Sequence, residues 1–429
     1  MGKQYLKDFL RIFFIGISLF SVIFVLGSKE SIAKTQLTVA TEDRGMQKVI
    51  SSFVKEFEQK ENVDVKFIYL PSAELRSKIR LDASLKTGAF NVIYITEASI
   101  TEHAMNGWLV PIEDYYDTNG DFDDFVPALL DILSYKGVRY GAPLNAETTW
   151  MWYRKDLFDK RGIAVPQTMN EYISAIEKFD GSDGVYGGVV RGDRGHGFNV
   201  WRWTQFFASC GGKYYENGKW VFGEYIASAV TATEFYLKVI ATSPPGGATY
   251  TYLDAWDAFN AGRVATFIAA HPKYGVTEDP KKSAVAGKVG YAPPPYLTRE
   301  IASGGAHGYA ISAVGNKNNT ARKLAGKYIS WATSKEMEIR RVVEGSSAIN
   351  TTRNSTYRSN EFTSKFPADH AKALGDTLSI TGVAVPLIPE WPEIGDNLGI
   401  ILEEIFTGGR TNIRASMIEA NEFALKTLK

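Results

Sequence analysis

Apolar positions along this chain follow two alternating periods. Leu37 to Ala40 is a short apolar run of strand length, and after Gly45 the residues Met46, Val49, Ile50, Phe53 and Phe57 recur at helical spacing on one face. Val63, Val65, Phe67 and Tyr69 then alternate, Pro71 opens a second helical pattern through Leu75 and Ile79, and Val92 to Ile95 is a continuous apolar run. The order is β-α-β-α-β. Strands separated by helices run parallel and are covered on both faces, which predicts an open, doubly wound α/β sheet with ligands beyond the carboxyl ends of its strands. Glu42 and Asp43 stand at one such end, Thr96 and Glu97 at another.

A second stretch, from Asn145 to about Phe267, has its own strand at Trp150 to Tyr153, its own helices and a glycine-rich segment from Gly187 to Gly197. It reads as another lobe. Further on, Asn319 to Ser334 predicts a helix with Leu324, Ala325, Tyr328 and Trp331 inward, and Asn397 to Phe406 predicts another. The first 33 residues follow a different rule: Lys3, Lys7 and Arg11 precede an apolar run from Ile12 to Leu26, and Ser31, Ile32 and Ala33 end it with small residues flanking Ile32. That is the layout of a secretory signal cleaved near Ala33, and the run is shorter than the ~20 apolar residues of a membrane span. No cysteine follows it to take a lipid, so a soluble, periplasmic product is expected.

At 429 residues the chain exceeds one ordinary core. Charge narrows the partners: 48 Lys and Arg balance 48 Asp and Glu, which removes the basic excess that neutralising a phosphate backbone requires, so no nucleic acid is expected. One cysteine, Cys210, and five scattered histidines supply neither an internal disulfide nor a zinc spacing, and no metal or other cofactor is expected. The aromatic share is 13%, more than a core needs, so part of it is expected to meet a ligand.

Catalytic signatures are thin. Ser52 and Lys55 match a Ser-x-x-Lys spacing but fall inside the first helical pattern, and the nucleophile elbow, Walker loop and His-Glu-x-x-His motifs are missing from the sequence. A glycoside hydrolase using two carboxylates stays open as the alternative, because only the fold sets their separation. Sugars present hydroxyls that donate and accept hydrogen bonds and a C–H face that lies on aromatic rings. Two regions mix such partners: Arg191, His196, Asn199, Trp201 and Trp203 in one, and Tyr250 to Asp257 in the other, where Asp254 also suits a helix cap and Trp256 reads as core before cleft. Arg191, Gly192 and Asp193 spell an adhesion tripeptide on paper but read as a loop with one ligand-facing arginine. Trp391, between Pro389 and Pro392, reads as too irregular for a core helix and so stands as a cleft candidate, as does His307 beside Gly305 and Gly308.

The run from Tyr153 to Phe158 after Pro143 and Leu144, Phe259 to Ala265, Val285 to Pro293, Gly304 with Gly305, and Trp331 to Glu336 follow one another in an order that resembles the bacterial extracellular solute-binding proteins, family 1 type, of carbohydrate importers, with sugar-alcohol binders similar around the last two stretches. The resemblance implies two Rossmann-like α/β lobes of the periplasmic binding protein type II, hinged on three crossovers. Lobe limits follow at 34–143 and 268–309 for the first and 144–267 and 310–429 for the second. It further implies a monomeric, non-catalytic receptor that hands a sugar, oligosaccharide or polyol to an ATP-driven membrane permease. By position, Glu147 is similar to the family's cleft acid, Asn199 and Trp201 to its polar and stacking pair, and Glu97 to the acid after the third strand, while Asp254, Gly305 and Trp391 match ligand-facing positions. Ala269, Ala270, His271 and Pro272 depart from the family's usual acid or amide with glycine and an aromatic, which leaves His271 as a candidate contact and the sugar undefined.

Overall fold

The computed structural model describes residues 34–116, 122–195, 198–270, 274–344, 351–383 and 385–429. The leader reading of residues 1–33, His196 and His271 fall outside them.

Twelve strands build the frame: β1 (Thr35–Glu42), β2 (Val63–Leu70), β3 (Val92–Thr96), β4 (Leu109–Val110), β5 (Gly141–Ala146), β6 (Trp150–Arg154), β7 (Tyr186–Val189), β8 (Val264–Ala269), β9 (Val289–Ala292), β10 (Ala302–Gly304), β11 (Ala306–Ser312) and β12 (Thr381–Val383). The helices that bear on the site are α1 (Gly45–Ser52), α2 (Ser72–Leu85), α3 (Phe198–Ser209), α4 (Tyr252–Asn260), α5 (Asn319–Ala332), α6 (Lys335–Glu344) and α7 (Trp391–Phe406).

The first sheet has the order β2-β1-β3-β11-β4, with β5 also on β11. Parallel pairing of β1 with β2 and β3 follows from the helices between them, as expected. β11 runs antiparallel to β3, β4 and β5, because it enters this sheet from the other lobe and not over a covering helix. The second sheet has the order β9-β6-β8-β7, with β6 antiparallel to both neighbours and β8 parallel to β7. The fold is therefore α/β with two sheets, each carrying helices, and the chain passes between them three times: between Ala146 and Trp150, between Ala292 and Ala306, and after Glu344.

Two of the expected lobe limits move. Val289–Ala292, expected in the first lobe within 268–309, is hydrogen-bonded to β6 in the second sheet, since its four buried residues complete that sheet's edge. Likewise α5 packs on β11 of the first sheet and α6 on α1, and Tyr328 of α5 meets the ring edge of Phe57, beyond α1, at 5.4 Å. The helical run through Phe57 is also divided, with α1 ending at Ser52 and a second helix starting at Val54.

Most of the aromatic surplus goes into the core. Trp150, Trp152 and Trp256 are fully buried, and Trp152 contacts Trp256 at 5.0 Å and Tyr291 at 4.9 Å between ring centres. Such edge-to-face contacts add ~0.5–1.5 kcal/mol each beyond the area they bury. They stiffen the side of β6 and β8 that faces the crossovers, and the ligand-facing rings are a smaller set.

Candidate functional site

A cavity of about 980 Å³ lies between the two sheets, lined from both sides and from the crossovers. From the first lobe come the ends of β1 and β3 and the first turn of α2; from the second come α3, the start of α4, the end of β8 and the first turns of α7. The carboxyl-end position read from the strand order is where the opening falls.

Helix periodicity decides which side chains reach it. On α3, Phe198, Trp201 and Arg202 stand three and four residues apart and line the cavity together. Asn199 and Trp203 point the other way into the second lobe: Asn199 donates from Nδ2 to the Gly399 carbonyl at 2.9 Å, and Trp203 donates from Nε1 to Thr233 Oγ1 at 3.0 Å. Asn199 is thus a structural tie between α3 and α7 and is corrected as a cavity contact. On α7, Trp391, Pro392, Gly395 and Asp396 line the opening at the same helical spacing. Trp391 belongs to this helix after all, because Pro392 in a first turn has no N–H to lose. It is 7% exposed and meets the ring edge of Tyr214 at 4.9 Å, so it serves core and cavity together.

The first-lobe wall is acidic and internally compensated. Glu42 is ion-paired with Arg44 at 2.7 Å and accepts from the Ser72 hydroxyl. Burial opposes the charge of Arg44, yet Glu42 holds it above its ordinary value. Glu97 Oε2 stands 3.6 Å from His307 Nε2, and Glu147 Oε1 stands 3.7 Å from His307 Nδ1. Tyr94 Oη lies 2.9 Å from the same Nδ1. Burial disfavours the imidazolium, but Glu97, then Glu147 and Glu42, outweigh it and His307 is pushed up to about 9. Asn145 donates to Glu147 Oε1 at 2.7 Å. Among the described residues, Thr96 Oγ1 and Glu97 Oε2 have no hydrogen-bond partner, which leaves acceptors at the cavity wall.

The second-lobe wall carries cations and rings. Arg191 is held by Asp193 at 2.7 Å and lies over the Phe198 ring at 4.5 Å, so the Arg-Gly-Asp ends are locked on each other. A Cβ at Gly192 would stand 2.0 Å from the Ala248 carbonyl oxygen, which fixes glycine there. Arg202 donates to Thr149 Oγ1 at 2.8 Å, and burial, opposed by Tyr236 and Glu147, pushes it down to about 10. Charges are thus paired within the walls at Glu42 with Arg44 and at Arg191 with Asp193, while Arg202 donates to a neutral hydroxyl.

Of the expected contacts, Glu42, Glu97, Glu147, Arg191, Trp201, His307 and Trp391 line this one cavity. Asp43 does not: it is exposed and pairs with Lys48 at 2.5 Å, because successive residues of an extended strand point to opposite sides. Asp254 does not either. It completes a capping box with Thr251 at the start of α4, on the solvent side. Gly305 stays behind the wall, paired with Glu147 through the backbone in both directions, and a Cβ there would stand 3.1 Å from the Glu97 carboxyl carbon. Arg44, Ser72, Arg202 and Ser303 line the cavity without having been expected, and from the region Tyr250 to Asp257 it is Tyr252 that does so. Helical spacing was the available signal for Phe198, three before Trp201, and for Arg202, four after Phe198; for Ser303, brought in by a crossover, the sequence held none.

Asp254→Ala is accordingly expected to lower the melting temperature slightly and to leave ligand affinity within about twofold of wild type, the span of a substitution away from the contacts. Paired melting curves and calorimetric titrations check it, and a larger loss of affinity would return Asp254 to the site.

Comparison with known proteins follows the same outline. The model of the bacterial extracellular solute-binding protein family matches residues 41–339. The mannitol-binding protein of Pseudomonas aeruginosa is 25% identical over 405 residues, covering 88% of this chain and 90% of the relative. Among solved structures, an ABC transporter solute-binding protein from Agrobacterium radiobacter K84 in complex with ribitol is 28% identical, with a TM-score of 0.76 over 92% of this chain and 99% of that one. One from Agrobacterium vitis S4 with bound D-mannitol is 26% identical, with a TM-score of 0.73 over 92% and 98%. Two lobes, a sheet whose fourth strand runs antiparallel, a cleft at the crossovers and a family match across most of the chain agree: this protein belongs to the bacterial extracellular solute-binding protein family.

Proposed function

We propose that the protein is the receptor of an ABC importer and captures a neutral polyol or a sugar of similar hydroxyl density in the cavity between its lobes, for delivery to a membrane permease. The observation that carries this reading is the composition of the two walls: carboxylates already compensated by Arg44 and His307 on one side, and the rings of Phe198, Trp201, Tyr252 and Trp391 on the other. Hydroxyl groups donate to the first, and C–H faces lie on the second. The polyols named for the relatives from Pseudomonas and Agrobacterium support the same ligand class. Glu42, Glu97, Glu147, Arg191, Trp201 and Trp391 are the proposed contacts. Export by cleavage near Ala33, a periplasmic monomer and binding without turnover complete the proposal.

A melting-temperature screen with ribitol, D-mannitol, sorbitol and maltose tests it, since a ligand bound only by the folded state adds ~2.7 kcal/mol at a hundred times its dissociation constant. The ligand that raises the melting temperature should also reduce the radius of gyration in small-angle scattering, because groups from both lobes must converge on it. Loss of that ligand beyond one equivalent during prolonged incubation would replace the receptor by a glycoside hydrolase. Failure of all polyhydroxy compounds to shift melting would refute the ligand class.

A further inference from the structure

His307 is a buried ionisable group of the cavity wall, with carboxylates on two sides of its ring. It sits on β11, 8% exposed, at the second point where the chain crosses between lobes. Charged and titratable groups face it from each neighbouring element. Glu97 approaches from just beyond β3 and Tyr94 from within that strand; Glu147 comes from the crossover after β5, and Glu42 from the end of β1 with Arg44 as its own counter-ion. From the second lobe, Arg202 lines the same cavity and interacts electrostatically with Glu147. The two nearest carboxylates reach different ring nitrogens, at 3.6 and 3.7 Å, and belong to different segments of backbone.

We propose that His307 is a positioning residue whose ring cation, held between Glu97 and Glu147, keeps both carboxylates aimed into the cleft as hydrogen-bond acceptors, so that ligand affinity depends on the imidazole proton. The idea rests on the ligand reading above and deepens it by separating the groups that touch ligand from the group that holds them. Without the imidazolium, the two carboxylates flanking one ring lose the charge that draws both towards it, and their repulsion turns one away. An acceptor for a ligand hydroxyl is then lost. The sign is fixed by the cluster: the histidine is raised above its ordinary 6.5 to about 9, so the stabilisation is complete below about pH 6.5 and is lost as pH rises through about 9.

Two measurements decide it. The first needs no ligand: imidazole proton shifts are followed by NMR against pH in wild type, His307→Gln and Glu97→Gln. One imidazole is expected to remain cationic at about pH 8, to vanish in His307→Gln and to lose its proton at lower pH in Glu97→Gln, where a partner charge is gone. The second is calorimetric titration with ribitol and D-mannitol from about pH 6 to about pH 10. Wild-type affinity should be level to about pH 8 and then fall by up to tenfold per pH unit, the limit for one linked proton. His307→Gln should bind roughly tenfold more weakly at neutral pH and lack the alkaline fall. A histidine that titrates near its ordinary value, or His307→Gln with wild-type affinity and pH profile, overturns the proposal. If His307→Gln does not fold, the Glu97→Gln titration and the wild-type pH profile carry the same two outcomes. Absence of polyol binding by wild type at every pH refutes the ligand reading, and the imidazole titration still decides the bridge.

Discussion

Glu147→Gln is expected to weaken polyol binding by roughly ten- to more than a hundredfold while leaving the melting temperature of the ligand-free protein nearly unchanged. Glu147 is 6% exposed and lies at the first crossover, where its backbone exchanges two hydrogen bonds with Gly305. The substitution leaves those bonds intact. A glutamine oxygen can still accept from Asn145 Nδ2, which now stands 2.7 Å from Glu147 Oε1, so the local packing survives. What disappears is charge. Hydrogen bonds to an ionised group are worth ~1.5–3 kcal/mol each, about twice a neutral one, and the loss converts directly to affinity. The variant also removes one of the two anions that hold the proton on His307, so its alkaline fall in affinity should begin at lower pH than in wild type. Titration calorimetry of ribitol or D-mannitol, alongside melting curves, reads both effects. Wild-type affinity in Glu147→Gln would take this residue out of the site, and a large drop in melting temperature would make it a structural anion.

The strand order of the first lobe was legible because its apolar runs are short, separated by helical patterns and bounded by Gly45 and Pro71. The carboxylates at strand ends followed from that order, and Glu42 and Glu97 do line the cavity. Lobe limits were less legible. The stretch 268–309 was expected in the first lobe, but the chain first completes the second sheet with Val289–Ala292, and nothing local distinguishes an edge strand of one sheet from that of another. Asn199 and Asp254 do not line the cavity, because closeness in sequence to a cavity residue does not set the face a helical residue presents: Asn199 turns away one position after Phe198, whereas Arg202, four positions after it, returns to the same side. Asn199 is buried against Gly399, and Asp254 caps α4 in solvent. Residues set by helical spacing, such as Phe198 and Arg202 beside Trp201, were readable in principle. Ser303 and the closing of His307 between two carboxylates depend on which crossovers lie side by side, and that is a property of the folded chain alone.

The largest loss of stability is expected from Trp256→Ala, by ~3–5 kcal/mol, the usual range for truncating a buried aromatic side chain. Trp256 is fully buried on α4, three residues from Phe259, and the choice between core and cleft is settled by its neighbours. Its ring meets those of Trp152 and Phe267 edge-on at 5.0 Å each, and that of Phe259 at 6.3 Å. Truncation removes these contacts at once and leaves a void that rigid strands β6 and β8 cannot fill, so relaxation recovers little. Trp256→Phe should cost less than half as much, because a smaller ring keeps the edge contacts with β6 and β8. The truncated protein should bind polyols only modestly more weakly, through Tyr252, which lines the cavity and whose ring lies 6.3 Å from Trp256. Urea unfolding of both variants without ligand, with titrations on the folded fraction, separates the two effects. Stability of Trp256→Ala within about 1 kcal/mol of wild type would show that the surrounding rings collapse into the space, and the stiffness assigned to this aromatic cluster would then be wrong.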